Sequence, residues 1–122
     1  MPSLISKVDV VGIPSSDSER SRQFYIETLG LRPDDHERHE FWAGDTCFAI
    51  WEPAWFGGEY RPQSHSIALL RVDDVPSARA ELEARGVTFD GEIFDSGVCH
   101  MANFTDPDGN PLTLHKRYKP YE

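Results

Sequence analysis

Along the chain, short apolar and β-branched runs alternate with polar, glycine-marked breaks, and the order of these segments occurs twice. Val8-Asp9-Val10-Val11-Gly12-Ile13 is β-branched and stops at Pro14, which predicts a buried strand over 8–13. Ser16-x-x-Glu19 with Asp17 offers N-cap chemistry, and Ser21, Phe24, Tyr25, Thr28 and Leu29 recur at helical spacing. Gly30 supplies the stop, so a helix is predicted over 18–29. Past Leu31-Arg32-Pro33 and a polar turn from Asp34 to Arg38, strands are predicted at 38–43 and 46–52, separated by Ala43-Gly44-Asp45.

After a linker containing Gly57-Gly58 and Pro62, the arrangement begins again. Ile67 to Val72 reads as a strand, and Asp73-Asp74 as a cap. Val75, Ala78 and Leu82 form the apolar stripe of a helix that Gly86 ends. Strands follow near 87–93, 98–105 and 111–117, the last two joined by the turn signal Thr105-Asp106-Pro107-Asp108-Gly109-Asn110. Leu29-Gly30-Leu31 corresponds to Arg85-Gly86-Val87, a period of 56 residues. Each half therefore reads β-α-β-β-β: module one about 7–53, linker 54–63, module two about 64–117, within one α+β domain spanning 1–122. Neither sheet buries its apolar face alone, so the two pack together or curl around a shared space.

Composition narrows the partners. With 12 Lys and Arg against 21 Asp and Glu, the net charge is −9, which argues against nucleic acid or an anionic membrane surface. At long range the same field favours a cationic small ligand. Cys47 and Cys99 stand far apart in no metal or redox spacing and read as reduced thiols. The first residues hold no apolar stretch of signal-peptide length and no run approaches a membrane span, so the expectation is a soluble, cytoplasmic protein.

The early motif Asp17-x-x-Arg20-x-x-x-Phe24-Tyr25-x-x-x-Leu29-Gly30-Leu31 and the late motif Phe104-x-Asp106-Pro107-Asp108-Gly109-Asn110 flank Val72-Asp73-Asp74-Val75 and Leu82-x-x-x-Gly86-Val87. In this order and spacing they resemble the vicinal oxygen chelate superfamily, also called the glyoxalase/bleomycin resistance protein/dioxygenase group. The resemblance spans roughly residues 7–117. It implies two βαβββ modules whose curved sheets form a cup, and commonly a homodimer. The superfamily hosts isomerases, lyases, dioxygenases, thiol transferases and proteins that sequester drugs, so fold does not fix function.

Metal enzymes of the superfamily place one His, Gln or Glu ligand on the first and last strand of each module. Carried over by spacing, those positions are Val10, Phe48 (Ile50 with a different turn), Ile67 and Thr113. Val, Ile and Phe offer no donor atom, so no metal site and no cofactor is expected. His65 and His115 share a face with Ile67 and Thr113 but are displaced in opposite directions along parallel strands, by roughly 13 Å in all.

Other residues carry possible chemistry. His100 interrupts the apolar run Val98 to Met101, as a satisfied core imidazole or a cup-lining acid/base. His115 has the parity of the superfamily's functional position and is a candidate for ligand contact. Glu52 ends the apolar run Phe48-Ala49-Ile50-Trp51, a setting that suits a general base if it faces the cup. The candidate catalytic groups are therefore Glu52, His100 and His115. Half of the aromatic residues fall between Phe41 and Tyr60, which makes them core and dimer packing or a wall for an apolar ligand. Trp55-Phe56-Gly57-Gly58 reads as a flap, and the expected ligand-binding set is Phe48, Trp51, Trp55, Phe56, Thr113 and His115. His36 and His39 belong to a solvated turn, Arg20 and Arg22 to surface pairs with Glu19 or Glu27, and Asp106 to Asn110 to the turn itself.

The reading that follows is a metal-independent binding protein for a small organic molecule, resembling the bleomycin-resistance branch. Its rival is an enzyme. That rival is a lyase, isomerase or dioxygenase using a divalent metal on shifted ligands (Glu52, His65, His100, His115), or a metal-free acid/base catalyst. A third reading, a structural or partner-binding domain, predicts a cup filled by side chains.

Overall fold

The structure is a computed structural model that describes residues 3–120; Met1 and Pro2, which begin the N-terminal stretch read above, lie outside the described residues. The chain divides into two compact units between Tyr60 and Arg61. Each is a βαβββ module, so the α+β class and the internal repeat are both observed.

The first unit holds β1 (Val11–Pro14), α1 (Ser18–Gln23), a π-helical segment (Phe24–Thr28), β2 (Arg32–Pro33), β3 (Glu40–Ala43), β4 (Thr46–Trp51) and a 3₁₀ turn (Pro53–Phe56). Its sheet runs β1-β4-β3-β2, with β1 parallel to β4 and the other pairs antiparallel. The strand expected over 8–13 is displaced: pairing starts at Val11 opposite Phe48, while Val8 and Val10 are exposed. Pro14 fits the strand end because it needs no partner for a missing N–H. Ser15 N–H continues the ladder to Trp51 O at 2.8 Å.

Asp17 is the helix cap, its Oδ1 accepting from Arg20 N at 3.1 Å. The expected helix over 18–29 is α-helical only to Gln23. Leu29 N then bonds Phe24 O, five residues back, and this wider turn carries the buried Tyr25. Gly30 follows at φ 76°, where a side chain would be strained. Tyr25 stacks on Phe41 at 4.9 Å, and Phe41 on Phe48 at 5.4 Å. With Ile13 and Ile50, these rings form the core of the unit.

The second unit holds β5 (Leu69–Arg71), α2 (Val75–Ala84), β6 (Phe89–Asp95), β7 (Cys99–Thr105) and β8 (Pro111–Arg117), in sheet order β5-β8-β7-β6. Strand β5 is parallel to β8. It is shorter than the expected 67–72, and β6 begins two residues later than the expected 87. A bulge between Asp90 and Phe94, with Gly91 at φ 67°, accounts for the longer reach of β6. Asp74 caps α2, accepting from Ser77 N at 2.9 Å.

The 106–110 turn is braced by its own side chains and also accepts from Gln63 N at Asn110 Oδ1, 3.4 Å. Asp106 Oδ1 accepts from the N–H groups of Asp108 and Asn110, each at 2.9 Å, and Asn110 Nδ2 donates to Asp106 Oδ2 at 2.9 Å. The carboxylate is buried and its oxygens are committed to the backbone and amide around it.

Candidate functional site

Strand alternation gives the second sheet two faces. One carries Phe89, Ala102, Phe104, Leu112 and Leu114, all buried. Helix α2 covers this face: the Phe89 and Phe104 rings are 5.1 Å apart, and the Arg79 guanidinium lies 5.1 Å over Phe89. The opposite, helix-free face presents Leu69, Thr113, Asn103 and Asp90 in one row, and Arg71, His115, Met101 and Phe94 in the next. Leu69 and Phe94 are each 56% exposed, so this face leaves apolar surface open to solvent.

At its edge lies a cavity of about 370 Å³, lined by Arg71, His115, Arg117, Tyr118, Lys119 and Pro120. Among the described residues no side chain pairs with Arg71 or Lys119, and no carboxylate lines the cavity. The −9 net charge led to an expectation of a cationic ligand; within this cavity the charged lining is basic, which reverses it locally. Arg71, Arg117, Tyr118 and Lys119 were missed by the sequence reading. The available signals were one charge inside the apolar run 67–72, at the parity of His115, and the basic run Lys116-Arg117-Tyr118-Lys119.

The expected site residues are distributed unevenly. His115 lines the cavity. Thr113 is buried on the same face, its Oγ1 2.8 Å from Asn103 Oδ1 and 3.0 Å from Ser66 Oγ, so its hydroxyl is held within the sheet. His100 is neither in the core nor on that face. It pairs opposite Lys116 rather than His115, its Nε2 sits 3.4 Å from Asp95 Oδ2, and its ring lies 4.7 Å from Tyr118. Tyr118 OH donates to the same carboxylate at 2.7 Å, which raises its pKa, with burial adding to the effect. The Gly97 N–H and the Tyr118 hydroxyl hold Asp95 below the usual carboxylate range.

Phe48 corrects the expectation that it lines the ligand site. It is 4% exposed and stacked on Phe41, on the face carrying Ile13 and Ile50. The assumed register was off by one residue, which exchanges faces; the true counterparts on the other face are Cys47 and Ala49. Glu52 is likewise tied down. Its Oε2 accepts from Ser18 N at 2.9 Å, at the positive end of α1, which is helix-terminus chemistry and not a base aimed at a ligand. Trp51 lies against β1, where a Cβ on Gly12 would come within 3.2 Å of its Nε1, and it meets Phe56 at 6.2 Å. Trp55 is half exposed, against His39 at 5.3 Å, and Phe56 is exposed.

Trp42 donates from Nε1 to Asp34 Oδ1 at 2.9 Å, with Arg32 5.5 Å over its ring. That hydrogen bond, followed by the N–H groups of Glu37 and His36, holds the Asp34 carboxyl at about 2. Glu19 pairs with Arg38 rather than with Arg20 or Arg22, and Arg22 Nε donates to Arg38 O at 2.8 Å. Both cysteines are free and buried, and burial pushes the Cys47 thiol up to about 11.

The donor set does not fit the superfamily's metal. Of the carried-over positions, Val10 and Ile67 have no donor atom and the Thr113 hydroxyl is already engaged; where the register replaces Phe48, Ala49 has no donor and the buried Cys47 thiol, pushed up to about 11, donates to Glu40 Oε1 at 3.4 Å. The shifted histidines do not converge either. Met101 lies opposite His115, so His100, its neighbour, points to the other face. Ile67 N–H meets Pro111 O, so His65 lies beyond a point already roughly 13 Å along the ladder from His115. Among the described residues no three His, Cys, Asp or Glu side chains form a metal-binding group.

A family model described as the Glyoxalase/Bleomycin resistance protein/Dioxygenase superfamily matches residues 7–114. The chain belongs to this superfamily. It is similar to TnmS3, an antibiotic binding protein from Streptomyces sp. CB03234, at 32% identity, covering 95% of this chain and 99% of that one with a TM-score of 0.74. It is also similar to a superfamily member from Sphaerobacter thermophilus DSM 20745, at 26% identity, covering 93% and 98% with a TM-score of 0.77. Lactoylglutathione lyase from Agrobacterium tumefaciens, at 16% identity, covering 93% and 95% with a TM-score of 0.73, shares the fold alone. No curated protein matches at a significant level. Among the described residues no helix is long and apolar enough to cross a membrane.

Proposed function

We propose that this superfamily member binds a small organic molecule on the helix-free face of its second sheet and releases it unchanged, without a metal. The observation that carries the reading is the 32% identity, over nearly the full length of both chains, to a protein described as antibiotic binding. The site chemistry agrees. The face joins open apolar surface to a few polar groups around a cavity, the usual composition of a small-molecule site. Of the other candidate acid/base groups, Glu52 is held by the Ser18 N–H, and His100 is held by Asp95 and does not line the cavity beside His115. In this reading the chain pairs with a second copy of itself, as the superfamily resemblance implies, and works in the cytoplasm.

The test is calorimetric titration of chelator-treated protein with naphthalene derivatives bearing carboxylate, amide or ammonium groups, followed by mass spectrometry of the recovered compound. Elemental analysis and melting before and after chelation accompany it. Saturable binding, intact compound and no chelation-dependent melting shift are expected. About one transition metal per chain, with melting lowered by chelation, or conversion of the compound, overturns the reading.

A further inference from the structure

We infer that the ligand of the His115 site is an organic anion: a small carboxylic acid or similar acid carrying a flat apolar body. The inference rests on the proposed binding function and adds the charge class of what is bound. Three observations support it independently of that class.

The first is local charge. In a chain with 21 acidic and 12 basic residues, the 370 Å³ cavity is lined by Arg71, Arg117 and Lys119 and, among the described residues, by no carboxylate. A basic cavity in an acidic protein focuses anions at one place while the rest of the surface repels them.

The second is availability. Among the described residues Arg71 and Lys119 have no ion-pair partner, and His115 has no side-chain hydrogen bond. The nearby carboxylate, Asp95, is already engaged by Tyr118, His100 and Gly97. A guanidinium presents a planar fork that matches a carboxylate in two parallel hydrogen bonds, and a histidine ring N–H beside it adds a third donor.

The third is the row itself. Arg71, His115, Met101 and Phe94 stand side by side across β5, β8, β7 and β6, so one edge of the row is cationic and the other apolar. Three strand spacings separate the outer strands, roughly 14 Å. That span holds a one- or two-ring body lying over Met101 towards Phe94 while its acid group meets the Arg71 side chain. Leu69, one row away on the same face, extends the apolar surface. A neutral or cationic ligand leaves Arg71 and Lys119 unanswered, and an inorganic anion leaves the apolar row uncovered.

Isothermal titration with three matched compounds tests this: 1-naphthaleneacetate, its neutral amide, and 1-naphthylmethylammonium. The acetate is expected to bind at least tenfold more tightly than the amide, and the ammonium weakest. Arg71→Gln is expected to remove most of that preference, and Arg71→Lys to retain part of it. Arg71 is an exposed side chain, so unchanged melting checks that both variants fold. Raising the salt from 50 to 500 mM is expected to weaken the acetate several-fold and leave the amide nearly unchanged. Equal or tighter binding of the amide or ammonium overturns the anion assignment while leaving small-molecule binding intact. A preference for acetate that Arg71→Gln leaves whole overturns the placement. Absence of binding by all three overturns both.

Discussion

Replacing Phe48 with alanine separates a core role from a ligand-lining one. Phe48 is 4% exposed, its ring lies 5.4 Å from Phe41 with the planes within 4°, and Phe41 in turn stacks on Tyr25. A phenylalanine buries about 150–250 Å², which at about 25 cal/mol per Å² is about 4–6 kcal/mol for the whole side chain. Keeping the Cβ lowers that figure, while the residual cavity and the lost stacking raise it, so about 3–5 kcal/mol is expected. Against a typical domain stability of about 5–15 kcal/mol this is a large fraction. With a urea slope of about 2 kcal/mol per M, the unfolding midpoint, followed by far-UV circular dichroism, falls by roughly 2 M. Phe48→Leu keeps most of the volume and is expected to cost about 1–1.5 kcal/mol. A midpoint change below about 0.3 M for Phe48→Ala, together with weakened ligand binding, refutes the placement and returns Phe48 to a site.

Three other outcomes follow from the same geometry. Asp34 has its folded pKa at about 2, below the ordinary 3.8, so its contribution to stability is present above the ordinary value and is lost as pH falls through about 2. The melting difference between the wild type and Asp34→Asn, measured from pH 6 to pH 1.5, is expected to narrow over that window, and a gap constant to pH 1.5 contradicts the Trp42 bond as its cause. Glu52→Ala is expected to cost about 1 kcal/mol by freeing the Ser18 N–H at the start of α1, while leaving affinity at the His115 site within twofold. Lost affinity at unchanged stability contradicts the capping role. Cys47, its thiol pushed up to about 11 by burial, is expected to resist iodoacetamide at pH 8 in the folded protein and to react in urea, as peptide mass mapping reads directly.

The repeat was legible because it is written in local signals. Asp17 and Asp74 cap, Gly30 and Gly86 stop, and Gly44 and Gly109 turn, and each acts within a few residues of itself. Strand ends were less legible, because pairing partners decide them: Val8 and Val10 have the composition of a strand but lie before the point where β4 begins to pair. The π-helical turn at Phe24–Thr28 keeps the apolar spacing of an α-helix closely enough that periodicity does not reveal it. The site was legible in part. His115 carried the right parity, but Phe48 was placed by counting from a turn of assumed length, where one residue of error exchanges faces. Arg71 was hidden by the apolar run around it, and the basic run 116–119 by an acidic average. Net charge describes the far field, and a cavity answers to the few side chains that line it.

The proposed binding site of this superfamily member is the helix-free face of the second sheet. Titration of ¹⁵N-labelled protein with 1-naphthaleneacetate, followed by amide NMR, tests it most directly. Saturable shifts clustered at Arg71, Met101, His115 and Lys119 are expected, with the α2 amides undisturbed. Shifts confined to residues of the first unit, such as Trp51, Trp55 and Phe56, contradict it.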